Sequence, residues 1–118
     1  MFNFEKLETW HEAIAFADMV YQLTRSFPAE ERFGLTNQMR RAAVSISWNL
    51  AEGCSRSSKA DYARFVEIAT GSVYEVVSQA TIGRNQGFLN PADYELLYRA
   101  ADKQSRMLSG LRKSLVTR

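Results

Sequence analysis

Apolar residues recur every three or four positions along most of the chain, the spacing that places them on one face of an α-helix. Four segments show this spacing, running from Leu7 to Tyr21, Leu35 to Gly53, Tyr62 to Gln79 and Leu97 to Leu115. No segment shows the strict alternation typical of a half-buried strand. Because the connections are short, consecutive helices are expected to pack antiparallel. The pattern predicts an all-α, up-down-up-down antiparallel four-helix bundle that forms a single domain over residues 1–118.

Local signals suggest where the helices begin and end. Proline disfavours helix in the residue before it, so the first helix is expected to end just before Pro28. The second helical run is expected to begin at Ala29–Glu31, where acidic side chains suit its positive end. Ser57 or Ser58 can cap the third helix through a hydroxyl, and Asn90–Pro91 suits the start of the fourth.

The composition is that of an ordinary globular protein, with 46% hydrophobic and 24% charged residues. No run approaches the roughly 18 uninterrupted apolar residues of a membrane-spanning helix. A lone cysteine, Cys54, indicates a reducing compartment. We therefore expect a cytoplasmic protein with no membrane partner. The net charge of +2 permits contact with nucleic acid without requiring it.

Polar residues at helical spacing interrupt the second and third segments. Asn49 and Glu52 are three residues apart, as are Ser72 and Glu75, so each pair shares a helix face. One interpretation is a buried polar network between these helices or across subunits, with Gly53 and Gly71 allowing close backbone approach. The other is a carboxylate pair for acid–base chemistry or a metal, and this enzyme interpretation predicts a preformed pocket with a raised carboxyl pKa.

An arginine doublet, Arg40 and Arg41, lies within the second apolar segment. Adjacent helical residues point about 100° apart, so the two guanidinium groups serve different faces. The favoured interpretation is that one pairs with Glu52 or Glu75, while the other reaches solvent or a neighbouring subunit. The alternative is a contact with phosphate.

Basic residues near the start of the third helix and along the fourth form the candidate nucleic-acid surface. They are Lys59, Arg64, Lys103, Arg106, Arg112 and Lys113. Such a surface would bind RNA through phosphate, with weak sequence preference and strong salt dependence. A merely solvated helix face would have the same composition.

The apolar set on the second and third segments is wider than one buried stripe requires. The surplus predicts a second buried face and hence self-association. Trp48 falls off the main stripe, so we expect it to lie between subunits.

Several runs resemble a known bacterial family. They are Phe4–Glu8 with Trp10, Phe27–Leu35, Gln38–Ile46, Asn49–Gly53, and Ala69–Ser72 followed by Glu75. In order and spacing they resemble the four-helix bundle family that includes the proteins encoded by 23S ribosomal RNA intervening sequences. The resemblance implies a ring-like homopentamer, with RNA association suggested by genomic context. A related group implies the alternative of a structural adaptor that docks a protein, such as a reverse transcriptase.

No nucleophile, second histidine or further ligand type accompanies the polar residues, so the sequence favours a non-enzymatic protein. We expect no cofactor, no metal and no small-molecule substrate. The expected partners are other copies of the chain and RNA. The residues expected to hold the assembly together are Arg40, Arg41, Trp48, Asn49, Glu52, Gly53, Gly71, Ser72 and Glu75.

Overall fold

The computed structural model describes residues 1–116, which form four α-helices: α1 (Glu8–Thr24), α2 (Leu35–Cys54), α3 (Lys59–Asn85) and α4 (Pro91–Val116). Each helix packs against the next one in the chain, and α4 returns to α1. The bundle measures 46 × 22 × 20 Å. No strand occurs within these residues. The predicted all-α four-helix architecture is confirmed.

The core consists of the residues that carry the helical periodicity. All four helices contribute side chains that are buried almost completely: Val20, Met39, Ile46, Leu50, Val66, Val73, Val76, Leu97 and Leu108. Fully burying one aliphatic side chain of this kind contributes roughly 1.5–3 kcal/mol. The stability of the bundle therefore comes mainly from this continuous apolar seam.

Hydroxyl and amide side chains begin two of the helices as the sequence predicts. The Ser58 hydroxyl accepts a hydrogen bond from the Asp61 amide at 3.1 Å, at the start of α3. The Asn90 side chain accepts one from the Asp93 amide at 2.8 Å, at the start of α4. In the connection from α3 to α4, Gly87 has a φ of +80°, a left-handed conformation that glycine adopts without strain. These contacts set the boundaries of α3 and α4.

The start of the second helix differs from the prediction. Residues Ala29–Glu31 form only a single 3-10 turn, and α2 begins at Leu35. The amide of Gly34 closes the turn by donating to the Glu31 carbonyl at 3.0 Å, and the chain leaves helical dihedrals there. The Glu31 carboxylate then accepts from the Leu35 amide at 3.1 Å. The acidic residue therefore does serve the positive end of α2, but from outside the helix.

Candidate functional site

Arg40 joins α2 to the end of α1. Its Nε donates to the Thr24 hydroxyl at 2.9 Å, and its guanidinium stacks 4.7 Å from the centre of the Tyr21 ring. Thr24 is buried and itself donates to the Val20 carbonyl at 2.7 Å. Neither Arg40 nor Arg41 pairs with Glu52 or Glu75 within residues 1–116, so the predicted pairing is wrong. The last turn of α1 offers carbonyl groups and a negative dipole end, which satisfy the guanidinium instead.

The predicted polar network between α2 and α3 exists, but it is smaller than expected. The Ser72 hydroxyl donates to the Ser45 hydroxyl at 3.0 Å, which also accepts from the Asn49 amide at 2.9 Å. The two carboxylates lie outside this network. Glu52 is exposed and pairs with Arg56 at 3.3 Å, one turn along α2. Glu75 is exposed on α3.

The two glycines expected to allow close approach behave differently. At Gly53, an added Cβ would lie 2.8 Å from Tyr62 Cδ1 and 3.1 Å from Phe65 Cβ, so only glycine lets α3 pack this closely. At Gly71, nothing lies within 4 Å of that position. The packing reason predicted for Gly71 is therefore not found within residues 1–116.

Cys54 contacts α3 beside this close approach. Its Sγ lies 3.0 Å from the Tyr62 hydroxyl in a hydrogen bond. Burial, together with this bond, raises the pKa of Tyr62 above its ordinary value. The hydrogen bond links the end of α2 to the start of α3.

The outward side of α2 carries a shallow groove of about 690 Å³, which we call the α2 groove. Its lining residues are Tyr21, Arg32, Phe33, Thr36, Asn37, Arg40, Arg41, Val44, Ser45, Trp48, Asn49 and Glu52. Positions 37, 41, 45, 48 and 52 recur every three or four residues, so one helix face supplies much of the lining. Two large aromatic side chains stand exposed at the groove, Phe33 at 86% and Trp48 at 65%.

The charge of the α2 groove is mostly positive. Arg32 lies 5.4 Å from the centre of the Phe33 ring, and Arg41 makes no hydrogen bond or ion pair within the described chain. Glu52 is the single acidic lining residue, and Arg56 neutralises it. Thr36 also lines the groove, but its hydroxyl oxygen is buried and has no hydrogen-bond partner among residues 1–116. Arginine and aromatic side chains are thus available together in this groove.

A second, smaller depression of about 320 Å³ lies between α2 and α3. It shares Arg41 and Ser45 with the α2 groove and adds Ser72 and Glu75. Arg41 therefore lies between the α2 groove, which contains Glu52, and this depression, which contains Glu75. Because Glu52 and Glu75 line separate hollows, the structure does not bring the two carboxylates together in one pocket.

The six predicted phosphate-contacting residues are spread along both edges of α4 and the start of α3. Lys103 pairs with Glu12 of α1 at 3.2 Å, whereas Arg112 pairs with Glu67 of α3 at 2.8 Å. Further ion pairs join Arg64 to Asp61 and Arg106 to Asp102. Lys59 and Lys113 are exposed. Carboxylates therefore accompany most of this surface, which weakens its field at an approaching phosphate.

An apolar surface follows the outward side of α3, which we call the α3 face. It comprises Ile68, Gly71, Tyr74, Glu75 and Ile82. Tyr74 is 66% exposed, and the two isoleucines are 43% and 50% exposed. Beside it, Tyr74 and Tyr98 line a hollow of about 410 Å³ between α3 and α4. The charged residues of this side are acidic, Glu75 on the face and Asp102 in the hollow, whereas those of the α2 groove are mostly basic.

Two kinds of site are not found in the part of the chain that the structure describes. No three His, Cys, Asp or Glu side chains there lie close enough together to hold a metal ion. None of the helices in residues 1–116 has both the length and the hydropathy needed to cross a membrane.

The α2 groove contains residues that sequence reasoning missed: Tyr21, Arg32, Phe33, Thr36 and Asn37. Two signals could have found some of them. An adjacent arginine and phenylalanine precede α2, and Asn37 is one turn before Arg41 on the same face. Tyr21 could not be found this way, because only packing brings α1 beside the groove.

Comparison with known proteins agrees with this architecture. A family model described as 23S rRNA-intervening sequence protein matches residues 5–110. No curated protein matches the chain. A crystal structure of a protein of unknown function from the S23 ribosomal protein family of Bacteroides thetaiotaomicron superposes with a TM-score of 0.79. It is 18% identical, and the match covers 89% of this chain and 98% of that one, which shows a shared fold.

Proposed function

The chain belongs to the 23S rRNA-intervening sequence protein family, as the sequence resemblance predicted, and we propose that it is a non-enzymatic, cytoplasmic bundle that assembles with copies of itself and binds RNA. In this proposal the assembly is the ring-like homopentamer that the family resemblance implies. The RNA contact is electrostatic and weakly selective for sequence, because the bundle offers no module for reading base edges.

The observation that carries the assembly proposal is the α3 face. Tyr74 is 66% exposed and Ile82 50% exposed, and nothing within the described chain covers the space at Gly71. Several large apolar side chains exposed on one helix face favour an interaction site there. A neighbouring copy that covers α3 would remove these side chains from water and supply the packing that Gly71 lacks.

RNA binding is supported by the balance of charge. The chain has a net charge of +2, and several arginines on α2 and before it have no carboxylate partner among the described residues. Assembly would repeat the same positive surface in every copy. Weak contacts that act together on one strand give a much higher apparent affinity than a single copy reaches.

Sedimentation velocity over a range of protein concentrations tests the assembly. We expect a species larger than one chain, which Ile68→Ser together with Tyr74→Ser shifts toward the monomer. Leu96→Ser is the matched control, since Leu96 is an exposed apolar residue of α4 at 54% exposure. A wild-type protein that sediments as one chain at high concentration would refute self-assembly.

Measuring how much RNA the protein retains at two salt concentrations tests the proposed RNA binding. Structured RNA should bind at about 50 mM salt and bind far more weakly at about 200 mM, because bound phosphates release counterions. Absence of binding at the lower salt would remove RNA from the proposal.

The rival function is a structural adaptor that docks another protein. The hollow between Tyr74 and Tyr98 favours it, since aromatic side chains are enriched at protein interfaces and Asp102 is the only charged residue that lines this hollow. A wild-type chain that remains monomeric and retains no RNA would favour the adaptor.

A further inference from the structure

We propose that the α2 groove is the binding site for a single-stranded segment of RNA, with Arg32 and Arg41 contacting phosphates and Phe33 and Trp48 stacking on bases. The inference rests on the proposed function, because it assigns the RNA contact to one face of the bundle. It moves that contact away from the basic residues of α4, where the sequence alone places it.

Unpaired charge is the first argument. Within residues 1–116, the side chain of Arg41 has no hydrogen bond or ion pair, and the Arg32 guanidinium has none either and only lies over the Phe33 ring. Along α4, by contrast, Lys103 and Arg112 are held by carboxylates at 3.2 and 2.8 Å. An RNA phosphate that binds there must displace or tolerate an acidic neighbour. At the α2 groove it meets guanidinium groups whose donors are available, and planar arginine donors suit phosphate.

Exposed aromatic rings are the second argument. Phe33 and Trp48 are 86% and 65% exposed, although large apolar rings are usually found in cores. Proteins that bind single strands combine a positive groove with aromatic side chains on which successive bases stack. Both features line the α2 groove.

The spacing of these groups fits a strand that follows the helix. Arg41 and Trp48 are seven residues apart, which is about 10.5 Å along the axis of α2. Phe33 and Arg32 extend the site beyond the start of that helix. A base and a phosphate of successive nucleotides can occupy these positions, whereas one nucleotide would engage only part of the groove.

A second copy of the chain is a poorer occupant of this groove. A protein surface that covered Arg32 and Arg41 would have to supply carboxylates, since burying an unpaired guanidinium is costly. The α3 face offers a copy apolar surface with one acidic residue, Glu75. The α3 face and the α2 groove share no residue, so a copy that covers the α3 face is compatible with an open groove.

Fluorescence anisotropy with a labelled single-stranded RNA of about 20 nucleotides tests the assignment, with the full-length protein at low salt. We expect Arg41→Gln and Arg32→Gln each to weaken binding several-fold and to lower the salt slope, by about 0.7 for each phosphate that the variant no longer neutralises. Trp48→Ala should weaken binding about fivefold or more, because stacking on one base is removed. Trp48→Phe, which keeps a stacking ring, should restore most of the affinity.

Arg106→Gln is the control matched for charge, since Arg106 is an exposed arginine of α4 paired with Asp102. Its affinity for RNA should stay within about twofold of wild type. If wild type binds RNA and Arg106→Gln weakens binding while Arg41→Gln does not, the site is wrong although the proposed function stands. If wild type binds no RNA, the function and the site both fail.

Two further results would also overturn the site. If ATP binds tightly and displaces the oligonucleotide, the groove is a mononucleotide pocket and not a site for a strand. A shift of the Arg41→Gln and Trp48→Ala variants to smaller species in sedimentation, with unchanged RNA affinity per chain, would assign the groove to a neighbouring copy.

Discussion

The arginine doublet allows a direct test, because the same substitution at adjacent positions should have different effects. Arg40→Gln removes a hydrogen bond of 2.9 Å to the buried Thr24 hydroxyl, a longer one of 3.4 Å to the Tyr21 carbonyl, and a stacking contact on the Tyr21 ring. Arg41→Gln removes no hydrogen bond or ion pair that the structure describes. We therefore expect Arg40→Gln to destabilise the fold and Arg41→Gln to leave its stability unchanged.

The magnitude follows from the two stronger interactions of Arg40, the bond to Thr24 and the stacking on Tyr21, since the bond of 3.4 Å to the Tyr21 carbonyl is long and exposed. A hydrogen bond from a charged donor contributes about 1.5–3 kcal/mol, and partial exposure favours the low end. Stacking of a guanidinium on an exposed ring adds about 0.5 kcal/mol. The expected loss is about 2 kcal/mol in the free energy of unfolding, which for this chain length is a fall of about 8 °C in melting temperature. Arg41→Gln should stay within about 0.5 kcal/mol of wild type.

Urea denaturation followed by circular dichroism measures both variants. The midpoint should fall for Arg40→Gln with an unchanged slope, since the surface exposed on unfolding is the same. All three proteins must be compared at a concentration where they sediment alike, because assembly adds to apparent stability. If both variants lose the same stability, or Arg41→Gln loses more, the stabilising contact between Arg40 and α1 is contradicted.

Three other variants test packing, titration and capping. Gly53→Ala should destabilise the fold by roughly 1–2 kcal/mol relative to Gly110→Ala. The reason is that a Cβ at position 53 would lie 2.8 Å from Tyr62, whereas one at position 110 would meet no neighbour within 4 Å. Equal melting temperatures of the two variants would contradict this. Stability should fall as pH rises above about 10, because the unfolded chain then releases the Tyr62 proton that the folded chain still holds, its pKa being raised. Tyr62→Phe, measured by denaturation across that range, should flatten the decline, and an unchanged slope would refute the effect of burial. Ser58→Ala removes the cap of α3 and should cost about 1 kcal/mol in thermal melts, whereas no cost would show that the cap is dispensable.

The fold could be predicted because its main determinants are local and periodic. Apolar positions three or four residues apart define the buried face of each helix, and Met39, Ile46 and Leu50 are all completely buried as that spacing requires. Ser58 and Asn90 begin helices for equally local reasons. The start of α2 could not be placed, because a 3-10 turn and an α-helix have similar sequence preferences over a few residues.

The partners of charged side chains could not be predicted, because they lie far apart in sequence. Helical geometry shows that Arg40 and Arg41 serve different faces, yet only the packing of α1 beside α2 shows that Thr24 receives one of them. The same holds for Lys103, which reaches Glu12 on the first helix. Counting cations along α4 therefore overestimates its positive field, since it ignores carboxylates that other helices supply.

The two proposed surfaces have a combined consequence for how the protein would bind RNA. The α3 face and the α2 groove lie on different helices, so one chain can contact a neighbour and a strand at the same time. Each copy in an assembly then presents its own Arg41 and Trp48. A strand long enough to reach several grooves releases counterions at each, and the salt dependence steepens with the number of copies engaged. An oligonucleotide that fills only one groove keeps the shallow dependence of a single copy. The steepening with RNA length therefore ties assembly to binding, and it should disappear in variants of the α3 face that remain monomeric.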